Sequence, residues 1–148
     1  SLRKVELPSS VAAVKKGAFW GCSSLEEFVL PHSVNMLDQG VLANCTSLKS
    51  VSLHDGVLSI GYGAFYNCSA IESVTLPAAV VNVGDQAFRS CKSLRELRVL
   101  CDAAPMCSAD IADADVYART LLLVPQGKVG EYGFARVWDR FGNIEEIV

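Results

Sequence analysis

The sequence contains no apolar run approaching the ~20 residues that a membrane-spanning helix needs. Its longest aliphatic stretch, Leu121 to Val124, is the length of a strand. It also lacks a basic excess: 13 Lys and Arg stand against 16 Asp and Glu, for a net charge of −3. No positive field is on offer to a polyphosphate backbone, so nucleic acid is not an expected partner. Charged residues are scarce at 20%, whereas hydrophobic ones make up 51% of the 148 residues. That balance does not suit a disordered chain, and one domain with a sizeable core is expected. Histidine is almost missing, with His32 and His54 alone. Neither stands with a serine or cysteine in a recognisable triad order, and no convergent acid–base set appears. The chain is therefore not read as an enzyme, and no cofactor is expected.

What the sequence does contain is a period. Cys22, Cys45, Cys68 and Cys91 follow one another at steps of 23 residues. Leu7, Leu30, Leu53 and Leu76 keep the same step, as do Phe19, Leu42, Phe65 and Phe88, and Leu25, Leu48, Ile71 and Leu94. Uninterrupted columns of this kind indicate a solenoid, in which each coil buries its apolar face against the next. Within the units "LEEFVL" (25–30) recurs as "LKSVSL", "IESVTL" and "LRELRV". This is the L-x-x-L-x-L signature of a leucine-rich repeat. Its alternation turns Phe28, Val51, Val74 and Leu97 inward on parallel strands stacked at roughly 4.8 Å. The phenylalanine column forms an apolar spine and the cysteines a second, smaller one. The column Gly17, Gly40, Gly63 suggests positive φ or close coil approach; Gln86 interrupts it and reduces that requirement to a tendency.

The fold class read from this pattern is α/β: a leucine-rich repeat solenoid, a right-handed superhelix of parallel strands with a C-terminal strand–helix cap. Repeats are assigned to residues 1–100, as a partial unit 1–6 and full units 7–29, 30–52, 53–75 and 76–98. Because Leu2, Val5 and Leu7 hold only the strand columns of a unit, the chain is expected to begin mid-repeat, as a fragment of a longer protein. After Arg98 the spacing fails, and residues 101–148 are assigned to a capping region of the same domain. There "TLLLVP" (120–125) reads as one more strand, ended by Pro125. Tyr132, Ala135, Trp138, Phe141 and Ile144 follow at intervals of three, which suits a helix over the first part of the series. Trp138, Phe141 and Ile144 are expected to cover the 76–98 coil.

The unit L-P-x-x-V-x-x-V-x-x-G-A-F-x-x-C-x-x-L-x-x-V-x-L is very similar to that of the BspA-type leucine-rich repeat family of bacterial surface antigens. The terminal "LLLVPQGKVGEYGFARVWDRFGNIEEI" resembles the closing segment of family members from gut anaerobes. Together these cover nearly the whole chain. The segment "CDAAPMCSADIADADVYAR" (101–119) departs from the pattern, with a second cysteine and an acidic run. The resemblance implies a secreted or outer-surface protein, often a lipoprotein, with a binding role such as adhesion to host proteins or other cells. The leading reading is thus a non-enzymatic extracellular recognition module that meets a protein or cell-surface ligand through the solenoid face. Two alternatives stand beside it: a structural spacer displaying another domain of a larger surface protein, and a glycan-binding accessory module.

Two candidate surfaces follow from the columns. The outward strand positions Lys4, Glu6, Glu27, Val29, Ser50, Ser52, Ser73, Thr75, Glu96 and Arg98 form a face with a small, hydroxylated middle and charge at both ends. Solenoids commonly bind on such faces, yet this one lacks the Trp, Tyr and Arg anchors of a hot spot. The second is an aromatic stripe of Trp20 and Tyr66 with Tyr62 nearby, which either takes a partner, sugar rings included, or packs across neighbouring coils. Other groups have plainer readings. The repeat cysteines lie along a line and do not converge on a point, so they suit buried free thiols better than a zinc site. Cys101 and Cys107 either form a local bridge or remain thiols. His32 and His54 fall in neighbouring turns as two ligands without a third. Asp110, Asp113 and Asp115 lack the spacing and glycine of a calcium loop.

Overall fold

The computed structural model describes residues 2–148; Ser1, counted above in the partial first unit, lies outside the described residues. In chain order the elements are β1 (Lys4–Val5), β2 (Glu27–Val29), β3 (Met36–Leu37), β4 (Ser50–Ser52), β5 (Ser59–Ile60), β6 (Ser73–Leu76), β7 (Asn82–Val83) and β8 (Glu96–Val99). Then come α1 (Ala114–Arg119), β9 (Leu121–Val124), α2 (Val129–Phe134), a 3-10 turn (Trp138–Arg140) and β10 (Asn143–Glu146). The chain is an α/β solenoid. No helix among the described residues is long and apolar enough to cross a membrane.

Successive coils are stitched together along three sides, though not on every side at every step. On the first, every pairing is parallel, and Phe28 stands opposite Val51 and Val74 opposite Leu97. On the second, the two-residue strands pair in the order β3-β5-β7. On the third, alternate N–H groups of the cysteine-bearing segment donate to the following coil: Gly40 to Tyr62, Leu42 to Ala64 and Asn44 to Tyr66 at 2.7–3.0 Å. With most of the backbone paired along these sides, the interior is left to side chains. Phe65, Leu42, Leu25, Leu48, Ile71 and Leu94 are fully buried, and Phe65 stacks on Phe88 at 5.3 Å between ring centroids. Phe19 is only half-buried, with its ring edge-on to Phe28 at 5.1 Å.

The cysteine column carries a contact that periodicity does not reveal. Each buried Sγ–H donates to a carbonyl of the preceding coil: Cys45 to Phe19 at 3.2 Å, Cys68 to Leu42 at 3.2 Å and Cys91 to Phe65 at 3.1 Å. Burial pushes the Cys45 and Cys91 thiols up to about 12, chiefly by desolvation, and raises Cys68 further. Cys22, expected to be interior with the others, is instead half-buried. Native protein is therefore expected to react with a thiol reagent at Cys22 while Cys45, Cys68 and Cys91 stay silent until denatured. Because their pKa is raised on folding, these three thiols stabilise the fold fully below pH 9.0 and progressively less as the pH climbs towards about 12. The urea midpoint should fall over that interval, and rapid native labelling of Cys68 would show the column to be misassigned.

The structure differs from the sequence reading at several further points. The long-strand sheet is not continuous: β1-β2-β4 and β6-β8-β9-β10 form separate sheets, with no ladder between β4 and β6. Val51, expected inward, is half-exposed beside this seam. At the adjoining turn His54 occupies the place of Pro8, Pro31 and Pro77 and ties the chain backward, its Nε2 lying 2.6 Å from the Val34 carbonyl. The positive φ of the glycine column also proves general, since Gln86 adopts +59°. A second such column, Gly21, Asn44, Asn67 and Ser90, precedes the cysteines. There Asn67 Nδ2 donates to Asn44 Oδ1 at 2.8 Å.

Beyond Arg98 the spacing changes but the coil path continues. Met106 bridges Asn82, Phe88 N–H donates to Ile111, and β9 pairs with β8, so residues 99–121 make one further turn. This turn, and not the Trp138 series, follows directly on the 76–98 coil. Trp138 Nε1 donates to the Pro105 carbonyl at 2.8 Å and Tyr132 Oη to Cys101 at 2.7 Å, which seats the terminal segment on the added turn. The helix is shorter than the three-residue spacing suggests: α2 ends at Phe134, and Val137 at φ +75° turns the chain before Trp138. Cys101 and Cys107 are separate buried thiols, and the Cys101 Sγ donates to the Pro77 and Val80 carbonyls.

Candidate functional site

The outward strand positions lie where alternation put them, but they hold little that could grip a partner. Lys4 pairs with Glu6 and Glu27 at 3.4 and 3.7 Å, and Arg98 with Glu96 at 3.3 Å. Such solvent-exposed pairs contribute about 0–1 kcal/mol each. Between them Ser50, Ser52, Ser73 and Thr75 present only exposed hydroxyls, and Val29 is the one exposed apolar side chain of the set. The face also runs on past the predicted residues, because Leu121 and Leu123 fall in register with Glu96 and Arg98.

The aromatic stripe gathers into something more defined. Trp20 is 60% exposed and Tyr62 46%, while Tyr66 is half-buried. These rings stand around an open groove of about 740 Å³ on the cysteine-bearing side of the solenoid. Its floor is the column Gly17, Gly40 and Gly63. Gly40 shows why that floor must be bare: its φ is +61°, and a Cβ there would lie 3.1 Å from Trp20 Cε3. The Trp20 ring thus rests on one coil while its backbone belongs to the coil before. The intervening position in the Trp20–Tyr66 column is Ala43, so the backbones that carry these two rings stand two coils apart, about 10 Å along the axis, with the Trp20 ring leaning over the coil between.

Three polar residues edge the groove: Lys16, Gln39 and Gln86. Lys16 and Gln39 precede Tyr62 at 23-residue steps, which puts them on adjacent coils of one row. Gln86 takes the fourth place of the glycine column, so its side chain projects where the other coils leave space. Column analysis singled out the rings but missed these three. The available signal was the failure of each position to repeat: a site is written where the consensus breaks.

The remaining candidates have structural explanations. His32 and His54 stack at 4.7 Å, but His54 Nδ1 accepts the Gly56 N–H at 3.1 Å and Nε2 meets Val34. No group of three metal-ligating side chains occurs among the described residues. Asp110 accepts from Tyr117 Oη and pairs with Arg140 at 3.0 Å. Asp113 Oδ1 accepts the Ser90 N–H at 2.9 Å, and Asp115 sits in the first turn of α1.

Comparison with known proteins agrees with this architecture. The profile of the "BspA type Leucine rich repeat region (6 copies)" matches residues 1–103. A leucine-rich repeat protein from Bacteroides ovatus superposes with a TM-score of 0.61 at 24% identity, over 87% of this chain and 32% of its own. The T. pallidum leucine-rich repeat protein gives 0.71 at 24% identity, over 96% and 68%. The pneumococcal vaccine antigen PcpA gives 0.69 at 15% identity, over 99% and 42%. This chain therefore spans about a third of the Bacteroides protein and under half of the pneumococcal one. No curated protein matches it. With the repeat profile matched over more than two thirds of its length, the chain belongs to the BspA-type leucine-rich repeat family.

Proposed function

We propose that this chain is a non-enzymatic recognition module displayed on the outer surface of a bacterial cell, where it adheres to a macromolecular ligand. The observation that carries this reading is the groove. Two exposed aromatic side chains, Trp20 and Tyr62, and the half-buried Tyr66 gather on a scaffold that has ample means to bury them, with the Trp20 ring lying over the bare backbone of Gly40. Exposed aromatic clusters of this kind mark interaction sites. Membership of a family of surface-antigen repeats and likeness to a vaccine antigen support the extracellular setting. A spacer would have no use for such a groove, and the strand face, with its charges spent on one another, is the weaker docking surface.

The test compares the chain with its Trp20→Ala/Tyr62→Ala/Tyr66→Ala variant, each displayed on beads and presented to epithelial and bacterial cells. All three positions are at least partly exposed, so the variant is expected to fold with an unchanged circular dichroism spectrum. Adhesion should fall by about tenfold or more, as on losing a cluster of aromatic hot-spot residues. Equal adhesion by both proteins, or by neither, would favour the spacer.

A further inference from the structure

The composition of the groove says what kind of ligand it suits. Its wall, floor and rim contain no aliphatic side chain and no carboxylate. A groove for a folded protein or an amphipathic peptide presents apolar pockets for Leu, Ile or Val anchors, and none is offered here. Nor can a peptide add itself as a strand, because the floor's amides are already donated between coils: Gly17 to Gln39, Gly40 to Tyr62 and Gly63 to Asp85, at 2.8–2.9 Å. What is left for a ligand is the exposed parts of three rings and a set of polar side-chain groups. The hydroxyls of Tyr62 and Tyr66 and the side-chain amides of Gln39 and Gln86 make no hydrogen bond within the described residues, whereas the backbone N–H groups of Gln39 and Gln86 donate to Asp38 and Asp110.

That pairing matches a pyranose. The C–H face of a sugar ring packs on an aromatic ring, and its neighbouring hydroxyls each donate and accept. A glutamine amide does the same from one planar group. The groove floor from Gly17 through Gly40 to Gly63 spans two coil steps, about 10 Å, which suits a short oligosaccharide better than a single sugar. Charge narrows the class further. Lys16 is the only formally charged residue lining the groove, and it makes no ion pair among the described residues. A cation with no counter-ion in a site free of carboxylates favours a ligand that brings an anion.

We propose that the groove binds an acidic oligosaccharide, stacking its rings on Trp20, Tyr62 and Tyr66 and placing a carboxylate at Lys16. This rests on the recognition reading above and names the chemistry of its ligand.

The chain supplies its own reporter, because of its two tryptophans Trp20 is exposed and Trp138 is fully buried. Titration with oligogalacturonate is expected to change the emission saturably and to shield Trp20 from acrylamide. Tyr62→Ala, which keeps the reporter, should weaken binding at least tenfold with an unchanged melting curve. Lys16→Gln should bring the affinity for oligogalacturonate down to that for a neutral galacto-oligosaccharide of the same length. Failure of oligogalacturonate, hyaluronan oligomers and sialyllactose alike would overturn the proposal. So would polyglutamate binding as tightly with the same dependence on Tyr62 and Lys16, since the site would then be one for acidic peptide. If the triple variant stops adhering to cells while no acidic oligosaccharide binds, the recognition reading survives and this inference does not.

Discussion

Replacing Phe65 by alanine is expected to cost about 3–5 kcal/mol of folding stability. The side chain is fully buried and stacks on Phe88 with ring planes only 6° apart. Its removal forfeits the transfer free energy of a benzyl group and leaves a cavity that the coils cannot close. They are held at fixed spacing by hydrogen bonds on both sides, from Phe65 N–H to Ala87 and from Leu42 N–H to Ala64. The cavity also lies beside the Cys91 Sγ–H, which donates to the Phe65 carbonyl. Against a typical total of about 5–15 kcal/mol this is a large fraction. Ser52→Ala, on the exposed strand face, should change stability by less than about 0.5 kcal/mol. Urea unfolding of the two variants measures the contrast, and similar midpoints would mean that inward and outward columns have been exchanged.

Gly84→Ala should be comparably damaging for a different reason. A Cβ at this position would lie 2.5 Å from the Tyr62 nitrogen and 2.6 Å from the Gly61 carbonyl carbon. Both are backbone atoms, so no side chain can swing aside; the two coils must separate. Separation stretches the Gly84 N–H bond to the Ile60 carbonyl, now 2.7 Å, and the β5–β7 pairing next to it. Overpacking usually costs 1–3 kcal/mol, and a clash between backbones belongs at or above the top of that range, about 3 kcal/mol. Gly133→Ala is the control. It lies in α2 with nothing within 4 Å of its would-be Cβ, and should stabilise by about 0.5–1 kcal/mol through helix propensity. Opposite shifts in melting temperature are expected; a harmless Gly84→Ala would mean that the coils are not in the close contact described.

Gly61 and Gly84 also show where column reading stopped short. They occupy one column, but Lys15 and Asp38 fill its earlier places, so the pattern looks accidental. Only the packing reveals that at each of them the coil approaches the one before it more closely than a Cβ permits. Gln86 errs the other way. Its appearance in a glycine column argued against a required positive φ, yet the coil holds it at +59° because its N–H must reach the Asp110 carbonyl. Neighbouring coils impose the conformation, and the residue accommodates it. The added turn at 99–121 was hidden for a related reason. Its hydrogen bonds to Val81, Gln86 and Phe88 reproduce the coil while its side chains and length do not.

The sequence by itself determined the solenoid, its 23-residue step and which columns face inward. Each coil touches only its neighbours, so one local contact pattern repeats in register, and a linear pattern is enough to specify it. The tertiary structure alone decided three things that do not repeat: the seam between β4 and β6, the seating of Trp138 on Pro105, and the joining of Lys16, Gln39 and Gln86 to the aromatic rings. Each depends on how one particular coil lies against another, with the ring of Trp20 resting over the glycine of the next coil as the clearest case. Such contacts form between residues that break the period, and a period carries no information about its own exceptions.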